Sequence, residues 1–383
     1  MIYLDHNAST PVRPEVRDAM ATGLAEHHAN PSSLHREGQR ARAAIERARD
    51  QVAGLLGAAS GEIVFVSGGT EGDHDAVIGA AWALEDRGRR VAISDLEHHA
   101  VHGAAQVLMR MGFAIEHLPS TREGWVDPKV VDSLPADTTL VSLMLANNET
   151  GVLQPVADVA ARAHARGMRV HCDAVQAAGK VPIDVRTLGA DYLVISAHKL
   201  GGPKGIGAMV VRGDAPVEPL LRGSGHEHGL RGGTENLPGI IALGVAAALA
   251  AADLSTERTR LMALRQRFEA GLRELAPDVV IHGERAPRLP NTVNASFPGA
   301  RSDRLLMALD GRGVAASAGS ACSSGAVEPS PVLIAMGVPE ELAVCALRFS
   351  FGHTTTADEI ERALAIIGES VRSVRAGAAG ARA

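Results

Sequence analysis

Lysine is scarce in this chain: 383 residues include only four, Lys129, Lys180, Lys199 and Lys204. Chemistry that needs a buried primary amine therefore has few places to occur. Lys129 lies in the polar segment DPKVVD, and Lys180 follows a turn just ahead of Pro182, so both read as solvated surface residues. Lys204 sits in a Gly-Pro hairpin. Lys199 ends the apolar run DYLVIS, follows His198, and is the one placed to be held and desolvated. The three cysteines, Cys172, Cys322 and Cys345, form no CxxC pair, and an odd number without close spacing argues against a disulfide framework and a zinc site. Cys172 in MRVHCDA and Cys345 in ELAVCALRFSF read as small buried hydrophobes. Cys322, in ASAGSACSSGA, has few large neighbours to pack against, so its thiol is expected to be exposed and accessible.

Other polar residues gather where apolar runs end. After EIVFVS come Gly68, Gly69, Thr70 and Glu71; after RRVAIS, Glu97, His98 and His99; after TTLVSLMLA, Asn147 and Asn148. MRVHC is followed by Asp173 and Gln176, and DYLVI by Ser196, His198 and Lys199. In an open α/β sheet, ligands bind beyond the carboxyl ends of the strands, so one pocket can collect all of these. SGGTE between a strand and a helix offers N–H groups and a hydroxyl to an anion such as phosphate. No GxxxxGK[ST] is present, and GGPKGIG lacks the strand-to-helix setting of a dinucleotide fingerprint. A phosphate site, a desolvated lysine, an aspartate and a histidine together suggest pyridoxal phosphate. The lysine forms a Schiff base with it, and the aspartate keeps the ring nitrogen protonated.

The elements that must position these residues are legible as well. From residue 62 to 211, seven β-rich runs alternate with helical stretches such as 70–87 and 156–166, which predicts an open, mostly parallel α/β sheet. DYLVISAHK and IGAMVVR are joined by LGGPKG, short enough for a hairpin, so one antiparallel strand is expected. A helical stretch over 237–275 follows, with a domain boundary expected inside it near 253–259, and the remainder reads as a smaller α+β domain. The last residues, AGAAGARA, have no periodic apolar face and are expected to fray. The net charge is −6 and the basic residues are scattered, which recommends neither nucleic acid nor an anionic membrane surface as a ligand. MIYLDHNAST is not a secretory signal, and no uninterrupted apolar run approaches the ~18 residues of a membrane span, so a cytoplasmic location is expected.

Motif for motif, the chain resembles the class V aminotransferase-like enzymes of pyridoxal-phosphate fold type I, and within them the cysteine desulfurases of the NifS/IscS type. YLDHNASTPV, NPSSLHREG, EIVFVSGGTE, EHHAV, ANNETGVLQP, HCDAVQAAGK, SAHKLGGPKGIGA, GSGHEHGLRGGTEN, PNTVNASF, SAGSACSSGAVEPSPVL and LRFSFG occur in the family's order over nearly the whole length. The resemblance implies a large seven-stranded cofactor domain over residues 16–257. It also implies a small domain over 258–383 carrying the cysteine loop, and an N-terminal segment, 1–15, packed on the latter. It implies that Lys199 carries the cofactor and moves protons, Asp173 pairs with the ring nitrogen, and His98 stacks on the ring. Gln176 and Asn148 then serve the ring hydroxyl and substrate, while Gly69, Thr70, Ser196 and His198 hold the phosphate. Thr234 reaches the phosphate of a partner subunit, implying a homodimer. Arg348 grips the substrate carboxylate, and Cys322 is the nucleophile that takes sulfur from L-cysteine as a persulfide for an acceptor protein.

Departures from the family pattern are His74 in place of an asparagine, His353 in place of an arginine and Ser9 in place of a threonine. They bear on substrate positioning more than on reaction type. His226 and His228 have an HxH spacing but no further ligand nearby, and no metal is expected. The short run after the last expected helix gives no reason to assume docking to an iron–sulfur scaffold protein. Iron–sulfur assembly, tRNA thiolation and phosphorothioate pathways all remain open destinations for the sulfur. The alternatives are a selenocysteine or other C–S lyase that does not rely on Cys322, and a non-catalytic sulfur-relay scaffold.

Overall fold

In the computed structural model, residues 1–318 and 328–380 are described. The chain opens with β1 (Ile2–Tyr3), α1 (Pro14–Glu26) and α2 (Arg36–Leu56), then alternates: β2 (Ile63–Val66), α3 (Gly69–Ala83), β3 (Arg90–Ser94), α4 (His99–Arg110), β4 (Ala114–Leu118) and β5 (Thr138–Ser142). It continues with α5 (Val156–Ala165), β6 (Arg169–Asp173), α6 (Val185–Leu188), β7 (Tyr192–Ser196), β8 (Gly207–Val211) and the long α7 (Leu237–Leu275). The last part is β9 (Val280–Ile281), β10 (Thr292–Ser296), α8 (Ser302–Asp310), β11 (Val314–Ala315), α9 (Pro331–Ala335), α10 (Glu340–Ala343), β12 (Ala346–Ser350) and α11 (Ala357–Gly380).

All seven expected runs become strands of one sheet, in the order β2-β8-β7-β6-β5-β3-β4. β8 pairs antiparallel with both β2 and β7, as the short hairpin requires, and the other pairings are parallel. The sheet is apolar on both faces because helices cover both. Along β2, Val64 and Val66 face the layer containing α3 and α4, while Ile63 and Phe65 face the one containing α2 and the first half of α7. Glycine lets α3 lie close on the sheet: a Cβ at Gly72 would fall 2.7 Å from Val194 Cγ1.

α7 runs unbroken through the expected domain boundary and joins two hydrophobic cores. By length and composition it is apolar enough to cross a membrane. Its first half instead supplies Leu243, Ala246 and Ala247 to the sheet core beside α2. Its second half supplies Leu261, Phe268 and Leu272 to a separate core with Phe349 and Phe351, whose ring centroids lie 5.0 and 5.2 Å from that of Phe268. Ile2 and Leu4 pack into this second core, and β1 pairs with β11, so the N-terminal segment is part of the small layer. β12-β10-β9 form its antiparallel sheet. α11 extends through Gly380, so residues 376–380 of the run expected to fray are helical, continuing a helix whose amphipathic face buries Ile360, Leu364 and Ile367; residues 381–383 lie outside the described residues.

β2 is an edge strand, and its outward polar groups are covered by charge. Arg49, 1% exposed, donates to Ile63 O (2.6 Å) and to both oxygens of Glu227 (2.9 Å each), while Glu227 Oε2 accepts the Phe65 N–H at 2.7 Å. Glu227 and His228 hold left-handed backbone (φ 46° and 58°), a conformation that side chains disfavour and that this anchor must sustain. Glu227→Ala strands a buried guanidinium, and urea unfolding should show a loss of about 3–5 kcal/mol. A change within about 0.5 kcal/mol, as at ordinary surface positions, would show that the pair does not hold the loop.

Candidate active site

The sequence-predicted residues converge at the carboxyl ends of β2, β3, β5, β6 and β7. Lys199 follows β7 in a short turn, and its ammonium donates to the backbone carbonyls of Asn7 (2.5 Å) and Ala8 (2.8 Å). Burial pushes its pKa down to about 8; Arg348 acts in the same direction, while Asp173 and Asp5 oppose it. Asp173 ends β6 and is 6% exposed. Its Oδ1 accepts the Val175 N–H at 2.8 Å, and among the described residues no hydrogen bond engages Oδ2. Burial, reinforced by Asp73, drives this carboxyl up to about 7. Gln176, three residues on, donates through Nε2 to Asn7 O at 2.9 Å.

His98 is the N-cap of α4. Its Nδ1 accepts the Ala100 N–H at 3.2 Å, which assigns the proton of the neutral ring to Nε2. Part of the ring is open to solvent, but loss of hydration and the nearby Lys199 hold its pKa below the usual histidine value. His198 is likewise kept neutral, at about 4, by burial and by Lys199, and its Nδ1 lies 3.4 Å from Ser9 Oγ. Ser9, a departure from the family pattern, thus sits against a site residue. His74, another departure, turns back to Thr70 O (2.8 Å) within α3.

Arg348 on β12 is a guanidinium within an apolar strand. It is 4% exposed, donates to Asp5 Oδ1 (2.8 Å) and Asn148 O (3.1 Å), and keeps a buried Nε that no hydrogen bond engages among the described residues. Cys172 and Cys345 are buried as expected. Cys322 falls outside the described residues. Thr234 stands exposed on the loop before α7, away from hydrogen-bond partners among the described residues.

Two features escaped the sequence reading. Asn7 is 1% exposed and ties the two cores together: Nδ2 donates to Thr292 Oγ1 (2.9 Å), Oδ1 accepts from Asn291 (3.1 Å), and its N–H reaches Ser350 Oγ (2.8 Å). Its only signal was a polar run, DHNAST, between an apolar start and a helix. The second is a correction. Lys180 is half-buried, not a freely solvated surface residue: its ammonium donates to Gln176 O (2.8 Å) and Gln176 Oε1 (3.2 Å).

The arrangement fits pyridoxal phosphate. α3 begins with glycine and no side chain caps its N-terminus, leaving N–H groups for a phosphate beside Thr70 and the buried Ser196. The half-satisfied Asp173 carboxyl suits a pyridinium N–H, and Lys199 supplies an amine held below its ordinary pKa.

A carboxyl whose folded pKa is raised keeps a proton that the unfolded chain has already lost between about pH 4 and 7, so stability falls with rising pH across that window. In the cofactor-free chain, Asp173→Asn should therefore be more stable than the unmodified protein at pH 8, by about 4 kcal/mol at most, and no more stable at pH 4. Denaturant titrations at the two pH values check this; equal effects at both would contradict the burial of an ionising carboxyl.

Comparison with known proteins agrees with this geometry. Residues 2–363 match the aminotransferase class-V family. A cysteine desulfurase IscS of Dictyoglomus turgidum is 43% identical over 98% of this chain and 95% of its own length. A solved NifS-like protein superposes with a TM-score of 0.91 at 35% identity, covering 97% of this chain and 99% of that one. The solved structure of SspA in complex with cysteine has a TM-score of 0.82 at 33% identity, covering 92% and 99%. The chain belongs to the aminotransferase class-V family, and within it to the cysteine desulfurases of the NifS/IscS type.

Proposed function

We infer that this protein is a cysteine desulfurase, which removes sulfur from L-cysteine, releases L-alanine and passes the sulfur to an acceptor protein. What supports the reading is that Lys199 lies close enough to Asp173, His98 and Arg348 for their charges to act on one another, in a chain similar to proteins named cysteine desulfurases. Pyridoxal phosphate, bound through Lys199, supplies an electron sink that lets bonds at the substrate's α- and β-carbons break.

The chain's own residues do the rest. Asp173 would hold the ring nitrogen, while the α3 N-terminus with Gly69, Thr70, Ser196 and His198 would hold the phosphate. Arg348 binds the substrate carboxylate, and its Nε is a donor that neither Asp5 nor Asn148 occupies. Asn148 and Gln176 orient the ring and substrate. Lys199, with a pKa near 8, takes the α-proton and later returns one. His98, its pKa held below the usual histidine value, would lie beside the ring and relay protons. The Cys322 thiolate attacks the substrate sulfur: the carbon–sulfur bond breaks, a sulfur–sulfur bond forms on Cys322, and alanine leaves once a proton is added. The exposed Thr234 is assigned to the phosphate site of a second copy, making the working unit a homodimer.

Lys199→Ala should lose the visible absorbance of the loaded enzyme and at least about a thousandfold of alanine formation from L-cysteine. Lys129→Ala, at an exposed position, should change neither. Retained turnover in the Lys199 variant would overturn the assignment.

A further inference from the structure

The segment from Asp5 to Ala8 touches both groups that must address one substrate. The carbonyls of Asn7 and Ala8 hold the Lys199 ammonium, at 2.5 and 2.8 Å. Asp5 Oδ1 accepts from Arg348 Nη2 at 2.8 Å, and among the described residues Asp5 is the one carboxylate paired with that guanidinium. Glu149 also feels the charge of Arg348, but its Oε2 accepts the Ser330 hydroxyl at 2.6 Å, and burial pushes its carboxyl up, towards the neutral acid.

A buried guanidinium needs an anion, and any nearby carboxylate would meet that need. Two features give Asp5 a larger part. Its backbone is pinned along β12: the Ser350 N–H donates to Leu4 O at 2.8 Å and Ser350 O accepts the His6 N–H at 3.3 Å, which sets Asp5 opposite Ser350, on the face that also carries Arg348. The guanidinium is also held at two nitrogens by two separate segments, Nη2 by Asp5 and Nη1 by Asn148 O at 3.1 Å, so its plane as well as its position is fixed. An amino acid carries its amine and its carboxylate on one carbon. An amine-reactive centre at Lys199 and a carboxylate clamp at Arg348 therefore serve it only if their separation is constant. Residues 5–8 are bonded to both.

We propose that Asp5 is a positioning residue for substrate selection: it holds Arg348 where the α-carboxylate of an amino acid falls when its amine lies at the Lys199 position, and so favours α-amino acids over simple amines. This rests on reading Arg348 as the carboxylate clamp and goes beyond it, because the selectivity is assigned to a residue that acts through Arg348. Were Asp5 only a competing anion, its loss would tighten carboxylate binding, so the two roles have opposite signs.

The test is a titration of the full-length, pyridoxal-phosphate-loaded protein with L-alanine and with ethylamine, which differ only in the carboxylate; the change in visible absorbance gives both dissociation constants. Asp5→Ala should weaken L-alanine binding about tenfold and leave ethylamine within about twofold. Asp5→Asn, which keeps an oxygen in place without the charge, should weaken L-alanine about threefold. On L-cysteine the loss should appear in KM, with kcat changed by less than about twofold. Dissociation constants that rise together for both ligands would mark a merely structural role. Unchanged or tighter L-alanine binding in folded Asp5→Ala and Asp5→Asn would mark a neutralising or competing anion, and either result overturns the proposal. An Arg348→Leu variant that still prefers L-alanine to ethylamine would instead overturn the reading of Arg348.

Discussion

The backbone carbonyl of Asn7 is the point on which the site depends. It accepts from the Lys199 ammonium and from the Gln176 amide, while the Asn7 side chain is fastened to Asn291 and Thr292 of the small domain's sheet region. One buried residue thus joins the polar ends of the large sheet to the second hydrophobic core. The adjacent Asp5 extends the join by pairing with Arg348. A carbonyl has two lone pairs but fixed directions, so two donors can share it only if β7, the turn after β6 and the N-terminal segment are all held in place. These hydrogen bonds tie the three chain segments together where the candidate site residues lie.

The second constraint is desolvation. Asp173, Lys199, Lys180, His98 and His198 all have pKa values displaced towards their neutral forms, and burial is the largest cause in every case. Titrating groups this close are coupled: changing the state of one alters the cost of ionising the next. Such a set is poorly stable by itself and gains stability from a ligand that brings a complementary cation to Asp173 and an anion to the α3 N-terminus. The fold's stabilising reserves lie elsewhere, in the two cores bridged by α7 and in charge-covered edges such as the Arg49–Glu227 staple.

Much of this was legible in the sequence, for identifiable reasons. Strands buried on both faces give continuous apolar runs, and all seven were readable from composition alone. Lys199 and Asp173 could be placed because polar residues that end such runs must lie on the ligand-binding edge of a parallel sheet. Lys180, Asn7 and Asp5 could not. Their settings come from contacts across more than a hundred residues or from a side chain folding back on its own turn, and neither leaves a local pattern. A lysine before a proline looks solvated until its amine folds back onto Gln176, and DHNAST looks like a loop until its carbonyls find Lys199. Glu227 was hidden for a related reason: its partner Arg49 lies on a helix whose sequence reads as an ordinary charged surface face.

The central claim is that the groove built on Asn7 delivers substrate sulfur to one thiol, that of Cys322. Peptide mass spectrometry after a single turnover with sulfur-labelled L-cysteine, run beside a count of L-alanine formed, tests it most directly. The account predicts one labelled sulfur on the Cys322 peptide per alanine, removable by a thiol reductant. Alanine formation with the label entirely in free sulfide, and none on Cys322 at any time, would contradict it.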